Sequence, residues 1–379
     1  MKRSQLSRLS SLSAAAAVSL ILTAAHFLAS CSTSSETLEL RGQVMGTTWS
    51  IRVVAPADGS DVALEPLRER VTARLEDLEN VFSTWRPDSD VSQFNTYPGQ
   101  DWFPVSPVFL DVLKQAIEVG ELSGGAFDPT VGPLVELWGF GASGEAGQTS
   151  AGEAGGSPGR EAGRLPSQET VERLSASTGY SHVQLRESPP AVRRTQPGVQ
   201  LDFSAIAKGY AVDEVWDLLS EAGLSDYLVE IGGEVRARGM RADGRAWSIG
   251  IESPDRTGVT EAVPLRDAAI ATSGDYRNYF EHEGERYAHV LDPRTGWPVS
   301  HGLTSVTVIA SSAATADALA TALLVLGPEK GLQLAVDHGM AARLVARTAD
   351  GLKVLPTPAY EAGFQRWRSI GAPASRSFP

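Results

Sequence analysis

Residues 201–215 read L-D-F-S-A-I-A-K-G-Y-A-V-D-E-V and contain an abrupt change in hydrophobic period. Apolar residues alternate along Val199–Phe203 as they do in a strand, whereas Ile206, Tyr210 and Val215 recur at the spacing of a helix. A strand that turns directly into a helix leaves several backbone N–H groups at the helix start without partners. Those groups and the helix dipole suit a phosphate or another anion, so this stretch predicts an anion site.

The same stretch also fits an ordinary strand-to-helix turn in which Ser204 is the N-cap. Both interpretations stay open on local evidence, because short motifs often match by chance. In either case a strand leads directly into a helix near Ala205.

The composition is that of a globular protein, and the length allows one large domain or two modest ones. The 379 residues are 42% hydrophobic, which is enough for a substantial core. Strands are separated sometimes by turns and sometimes by helices, which favours an α+β fold of mixed sheets with flanking helices. We expect the domain to span residues 42–360, with a disordered insertion at about 142–166 and a C-terminal tail over 361–379. The net charge of −13 excludes nucleic acid as a partner.

The N-terminus has the layout of an export signal. Three basic residues among the first eight precede an uncharged run, Leu12–Ala29, and small residues follow it. Cys31 is the only cysteine, and the preceding L-A-S resembles the lipobox of bacterial lipoproteins. We therefore predict a signal peptide over residues 1–30, a lipid on Cys31 and a polar tether over 31–41. This places the protein on the bacterial cell membrane, facing the periplasm.

Two polar side chains stand out in the apolar helix predicted for Ala314–Leu326. Asp317 and Thr321 are four residues apart, so both project from one face. A buried carboxylate needs a partner, and Mg²⁺ accepts carboxylates, hydroxyls, backbone carbonyls and phosphate oxygens. The alternative is an acid near the helix start that interacts with the macrodipole.

His289 is one of six histidines and precedes an Asp-Pro-x-Thr-Gly turn at Asp292–Gly296. Imidazole changes its charge near neutral pH, which makes His289 a candidate general base. The turn sequence itself also fits a plain tight turn, for which Asp and Gly are the usual residues.

Nine segments, in this order, resemble the motifs of the ApbE-type FAD:protein FMN transferases, and the match runs from about residue 42 to the C-terminal region. They are Met45-Gly46-Thr47, Ser83-Thr84-Trp85, Gly125–Leu134, Trp138-Gly139-Phe140-Gly141, Asp202–Tyr210, Gly232-Gly233-Glu234, Thr272–Tyr276, His289–Gly296 and Ala316-Asp317-Ala318. Members of that family are typically exported lipoproteins. They use Mg²⁺ to split FAD, attach FMN through a phosphoester to a Thr of a partner flavoprotein, and release AMP.

Carried over to this sequence, the resemblance implies both a flavin site and a metal site. It implies an exported flavoprotein acceptor with a target Thr, such as a redox-pump subunit. It also implies Mg²⁺ ligands at the backbone carbonyl of Ala205 and at Asp317 and Thr321. The implied FAD contacts are Met45, Trp85, Ala126, Phe127, Asp128, Asp202, Lys208 and Leu291.

Three positions differ from some relatives. Trp85 stands where some carry Tyr, Ala320 where some carry a second Asp, and Lys208 where some carry an acid. The number of metal ligands and the contact at Lys208 are therefore left open.

A Thr hydroxyl is a poor nucleophile until a base accepts its proton. We assign that role to His289, with Asp292 as a helper or an orienting group. Two other functions are compatible with the same residues: a Mg²⁺-dependent FAD pyrophosphatase that uses water instead of Thr, and a non-enzymatic flavin-binding lipoprotein.

Overall fold

The computed structural model describes residues 36–56, 62–142, 165–255, 257–276 and 278–369. The predicted signal peptide, Cys31 and most of the predicted insertion lie outside these residues. The predicted tether reaches into them, but residues 37–41 belong to the first strand, where they pair with the second. The tether prediction is wrong for these residues because polar side chains on the exposed face of an edge strand resemble a linker.

An eight-stranded antiparallel sheet organises the fold, in the order β1-β2-β6-β7-β10-β15-β16-β17. Smaller antiparallel sheets are formed by β3-β5-β4, β8-β9, β11-β12 and β13-β14. The strands are β1 (Thr37–Val44), β2 (Thr47–Val54), β3 (Phe103–Pro104), β4 (Val183–Arg186), β5 (Ala191–Arg194), β6 (Tyr227–Ile231), β7 (Glu234–Arg238), β8 (Trp247–Glu252), β9 (Val259–Leu265), β10 (Ala268–Gly274), β11 (Tyr279–His282), β12 (Glu285–Ala288), β13 (Leu291–Asp292), β14 (Trp297–Pro298), β15 (Leu303–Ala310), β16 (Ala341–Thr348) and β17 (Gly351–Pro356).

The central helices cover one face of the large sheet, and the β8-β9 ribbon and the C-terminal helix cover the other. The helices are α1 (Leu64–Phe82), α2 (Asp90–Thr96), α3 (Pro107–Leu122), α4 (Gly132–Leu137), α5 (Gln168–Ser175), α6 (Ala207–Glu221), α7 (Ala313–Asp337) and α8 (Pro358–Ser369). Successive strand residues point to opposite faces. Val229 therefore packs into the helix-side core, while Leu228 packs with Trp247 of the ribbon.

The helix α7 forms the centre of the core. Its start is capped by the Ser312 side chain, which accepts a hydrogen bond of 3.2 Å from the N–H of Thr315. Gly327 has φ 81° and ψ 179°, so one helix ends at the predicted boundary after Leu326 and a second begins at Pro328. By length and composition α7 can span a membrane, but its most apolar window is half buried within the protein.

Candidate functional site

The segment before α6 is not the strand that the sequence predicts. Residues 199–203 lie outside the named strands, with one isolated bridge between Gln200 and Val131. The side chain of Asn95 replaces a neighbouring strand: its Oδ1 accepts from the N–H of Leu201 at 2.7 Å, and its Nδ2 donates to the Leu201 carbonyl at 2.8 Å. The backbone N–H and carbonyl of Leu201 are therefore hydrogen-bonded although no neighbouring strand pairs with them.

The predicted N-cap at Ser204 is also wrong, because α6 begins three residues later at Ala207. Asp202 Oδ1 accepts a hydrogen bond of 2.7 Å from the N–H of Ser204, which tightens the turn. The N–H of Ala207 reaches the Phe203 carbonyl at 2.8 Å. The cap position is taken by Ile206, which supplies no side-chain hydrogen bond to the helix start.

The start of α6 packs directly against the start of α7. The N–H of Gly209 donates a hydrogen bond of 3.1 Å to Asp317 Oδ2. A Cβ atom at position 209 would collide with the Ala313 carbonyl, so only glycine permits this approach. From the middle of α6, Asp213 accepts hydrogen bonds from the N–H groups of Ala313 and Ala314, at 2.8 and 2.9 Å. The two predicted metal-binding elements are therefore in contact.

Three charged side chains from three elements meet at this contact. Lys208 Nζ lies 2.7 Å from Glu234 Oε1 and 3.9 Å from Asp317 Oδ2. Both carboxylate side chains are 5% exposed, so two buried acids share one ammonium group. Burial raises the pKa of Asp317 to about 7, the negative charge of Glu234 adds to the rise, and Lys208 opposes it. The two carboxylates and the one ammonium group together leave an excess of negative charge in the site.

Hydroxyl groups extend the site along α7. Thr321 lies one turn after Asp317, and its Oγ1 is 3.0 Å from Ser273 Oγ of β10. Among the described residues no group of three or more His, Cys, Asp or Glu side chains could hold a metal ion. A cation bound by Asp317, Thr321 and the Ala205 carbonyl would therefore need further oxygens from water or phosphate, as Mg²⁺ commonly does.

His289 is half-buried just after the β11-β12 hairpin. Its backbone N–H and its Nδ1 both lie 3.0 Å from the Asn278 carbonyl. A carbonyl only accepts, so Nδ1 carries the proton and Nε2 of the neutral ring keeps its lone pair. Burial lowers the pKa of His289, and the nearby charge of Lys208 lowers it further. The ring is therefore a neutral base at pH 7.

Asp292 does not orient His289. Its carboxylate forms a two-pronged ion pair with Arg294, from Nε to Oδ1 at 2.8 Å and from Nη2 to Oδ2 at 2.7 Å. The same Oδ1 also accepts from the backbone N–H of Arg294. The Asp292 carboxylate, which the sequence suggested as a helper of His289, is instead paired with Arg294 in the same turn. An Asp two residues before an Arg can form such a pair locally.

Three of the predicted flavin contacts are exposed or half-buried: Met45, Trp85 and Lys208. Met45 occupies the β1-β2 turn with a positive φ of 49°. A Cβ on Gly232 would lie 2.9 Å from Thr47 Cγ2 and 3.0 Å from Lys208 Cδ, so this turn sits beside Lys208. Trp85 is 49% exposed and thus has an accessible ring face.

Of the remaining predicted contacts, Asp202 is half-buried in the turn before α6, and the other four are buried. Ala126, Phe127 and Leu291 are buried in the core, where they support the backbone. Asp128 is also buried: Oδ1 accepts from the N–H of Thr130 at 2.8 Å, and Oδ2 accepts from the N–H of Tyr180 at 2.8 Å. Burial raises the pKa of Asp128. Its carboxylate ties the loop together.

Sequence reasoning gave no role to three residues that shape this site, Glu234, Asp213 and Asn95, although Glu234 belongs to one of the nine family motifs. Each acts through a partner that is distant in the chain, and Asp213 is 100 residues from the helix start that it caps. For Glu234 the available signal was the Gly232-Gly233 pair that precedes it in the same motif. Both glycines have positive φ, 62° and 106°, and form the β6-β7 hairpin turn that presents Glu234.

Known proteins resemble this chain in sequence and in fold. Residues 45–344 match the ApbE family model. The chain belongs to the ApbE family. It is 39% identical over 328 residues to the FAD:protein FMN transferase of Vibrio cholerae, a match that covers 86% of this chain and 92% of that protein. The Escherichia coli K12 FAD:protein FMN transferase is 34% identical over 332 residues, with 86% and 89% covered.

Solved structures of ApbE proteins share the fold. The flavin transferase ApbE from Vibrio cholerae has a TM-score of 0.76 at 38% identity and covers 86% of this chain and 99% of its own. The apo Pseudomonas stutzeri flavinyl transferase ApbE has a TM-score of 0.76 at 40% identity, with 87% and 97% covered. The predicted family, the α+β fold and the assignment to transferase enzymes are confirmed.

Proposed function

We propose that this ApbE-family chain is a Mg²⁺-dependent FAD:protein FMN transferase. FAD is its substrate, a Thr hydroxyl of an exported flavoprotein is the acceptor, and AMP is released. The observation that carries the proposal is the hydrogen bond between Gly209 and Asp317. It joins the turn before α6, where an anion is expected, to the helix that supplies the carboxylate.

The donor set suits Mg²⁺. Asp317 is a buried carboxylate whose raised pKa marks a deficit of positive charge, and Glu234 Oε2 is buried without a hydrogen-bond partner. Asp317, Thr321 and the Ala205 carbonyl would hold the ion. When bound, Mg²⁺ neutralises charge on the pyrophosphate and on the departing AMP.

The chain's own contribution to the chemistry is the base. Nε2 of His289 accepts the proton of the Thr hydroxyl as that oxygen attacks the phosphorus of the FMN moiety. A phosphoester bond forms, the bond to the AMP phosphate breaks, and AMP leaves with the electron pair. The pKa of His289 is lowered by burial, which keeps the ring unprotonated and ready at neutral pH.

Binding of FAD is assigned to the surfaces around this base. The exposed ring of Trp85 offers a stacking face, and the turn at Met45 lies beside Lys208, whose ammonium group suits the substrate phosphates. Ala126, Phe127, Asp128, Asp202 and Leu291 would contribute through the loops that they stabilise.

We also propose that Cys31 carries lipid and holds the enzyme on the periplasmic side of the bacterial cell membrane. The support comes from the sequence of the leader, since Cys31 lies outside the described residues. Exported flavoproteins would then be within reach as acceptors.

One experiment tests the activity against its alternatives. The protein lacking residues 1–31 is incubated with FAD and Mg²⁺, with and without a purified exported flavoprotein or its Thr→Val variant. Covalent flavin on the Thr form alone, with one AMP per flavin, supports the proposal. AMP without an acceptor indicates a pyrophosphatase, and bound but unchanged FAD indicates a flavin-binding protein; either result contradicts it.

A further inference from the structure

Glu234 is a buried acid that is neither a proposed metal ligand nor the proposed base. It is the first residue of β7, directly after the Gly232-Gly233 turn, and is 4% exposed. Its Oε1 contacts Lys208 Nζ at 2.7 Å, while its Oε2 is buried without a hydrogen-bond partner. A buried acid with an unsatisfied oxygen destabilises the fold. Its presence therefore points to a role in the site.

The position of Lys208 suggests that role. Its ammonium group lies between two buried carboxylates but is much closer to Glu234 than to Asp317, at 2.7 Å against 3.9 Å. The Asp317 oxygen on that side instead accepts from the N–H of Gly209. A direct ion pair between Lys208 and Asp317 would occupy the carboxylate that a cation needs.

We propose that Glu234 is a positioning residue that holds the Lys208 ammonium group away from Asp317 and so keeps the Asp317 carboxylate available for a divalent cation. The inference rests on the proposed function, because Asp317 is taken as the metal ligand. The inference also explains why Lys208 is paired with Glu234. Without Glu234, Lys208 and the metal ion would compete for the Asp317 carboxylate.

The competition can be measured with Mn²⁺ as the probe, in the full mature chain without FAD or acceptor. Electron paramagnetic resonance of unbound Mn²⁺ gives the affinity. We expect Glu234→Gln to weaken Mn²⁺ binding about tenfold or more, since an opposite charge at contact distance shifts such equilibria by about one to three powers of ten. In the Lys208→Met background, which removes the competitor, the same substitution should change the affinity by less than about threefold.

An equal effect of Glu234→Gln in both backgrounds would overturn the proposal, because it would mean that Glu234 acts only through its own charge. Melting curves of the four proteins in EDTA establish that each is folded. A double-mutant cycle of this kind isolates the interaction between the two residues.

A second readout needs no metal. In crystals of Glu234→Gln grown with EDTA, Lys208 Nζ should move to hydrogen-bonding distance of Asp317 Oδ2. An unmoved lysine contradicts the proposal. Both readouts omit FAD and the acceptor, so a failure of FMN transfer would appear separately in the transfer assay and would leave these results interpretable.

Discussion

The backbone N–H of Gly209 donates a hydrogen bond of 3.1 Å to the carboxylate of Asp317, and this bond fixes α6 against α7. A methyl group at position 209 would collide with the Ala313 carbonyl. We expect Gly209→Ala to lower the free energy of unfolding by about 1–3 kcal/mol, measured by chemical denaturation, and to weaken Mg²⁺ binding. Glu221→Ala, at the exposed end of the same helix, should stay within about 0.5 kcal/mol of the wild type. Equal stability of the two variants would contradict the close packing.

Mg²⁺ should stabilise the protein through Asp317. A ligand at one hundred times its dissociation constant adds about 2.7 kcal/mol, so the melting temperature should rise by several degrees with Mg²⁺ and fall back with EDTA. Asp317→Asn should lose this increase and most of the transfer activity. The matched control is Asp337→Asn at the exposed end of α7, which should keep both. A metal-dependent shift that survives in Asp317→Asn would place the ion elsewhere.

The transfer rate should depend on His289 and on pH. His289→Asn should slow single-turnover transfer by about 10²–10⁴-fold, while the dissociation constant of FAD changes less than about threefold. The pKa of His289 is lowered by burial, and the neutral ring is the base. At saturating Mg²⁺, which keeps the Asp317 ligand ionised, the wild-type rate should therefore be constant above pH 7 and fall only below about pH 6.5. His282→Asn, in the hairpin that precedes His289, should keep the full rate. A rate that begins to fall above pH 7 would exclude His289 as the base.

The main effect of replacing Asp128 should be on the stability of the fold. Both of its carboxylate oxygens are engaged by Thr130 and Tyr180, so Asp128→Asn places an NH₂ group where an acceptor is needed. We expect a loss of about 1–3 kcal/mol in the free energy of unfolding. Asp88→Asn, at an exposed position, serves as the control. Weakened FAD binding with unchanged stability would instead indicate a direct contact from Asp128.

Replacing Trp85 should affect FAD binding and leave the stability of the fold nearly unchanged. Its half-exposed ring contributes little to the core, so Trp85→Ala should change the free energy of unfolding by less than about 0.5 kcal/mol. If the ring stacks on FAD, the dissociation constant should rise about two- to tenfold, and Trp85→Phe should recover most of the loss. Fluorescence titration with FAD measures the dissociation constants of both variants. An unaltered affinity in Trp85→Ala would remove this residue from the site.

Elements with local signals were predictable from the sequence. The apolar residues of α1 repeat at steps of three and four, and α1 begins at Leu64 and ends at Phe82. Gly327 and Pro328 divide α7 at the expected place, because their backbone preferences are intrinsic. The pairing of Asp317 with Thr321 on one helix face also follows from spacing alone.

Features that depend on distant partners were not predictable. Residues 199–203 have the alternation of a strand, but a side chain 106 residues earlier replaces the strand neighbour. Glu234 reads as one more polar strand residue, and only the fold brings Lys208 to it. Asp292 appeared suited to assist His289, yet Arg294, two residues away, takes its carboxylate.

The atom that holds the His289 ring is the main-chain oxygen of Asn278, not a side-chain carboxylate. Every amino acid has that oxygen, so any residue compatible with the local backbone at position 278 would preserve the same tautomer. Replacing Asn278 by alanine would therefore leave this hydrogen bond in place. Only a change in the path of the backbone, such as an insertion in the turn before β11, would release the imidazole.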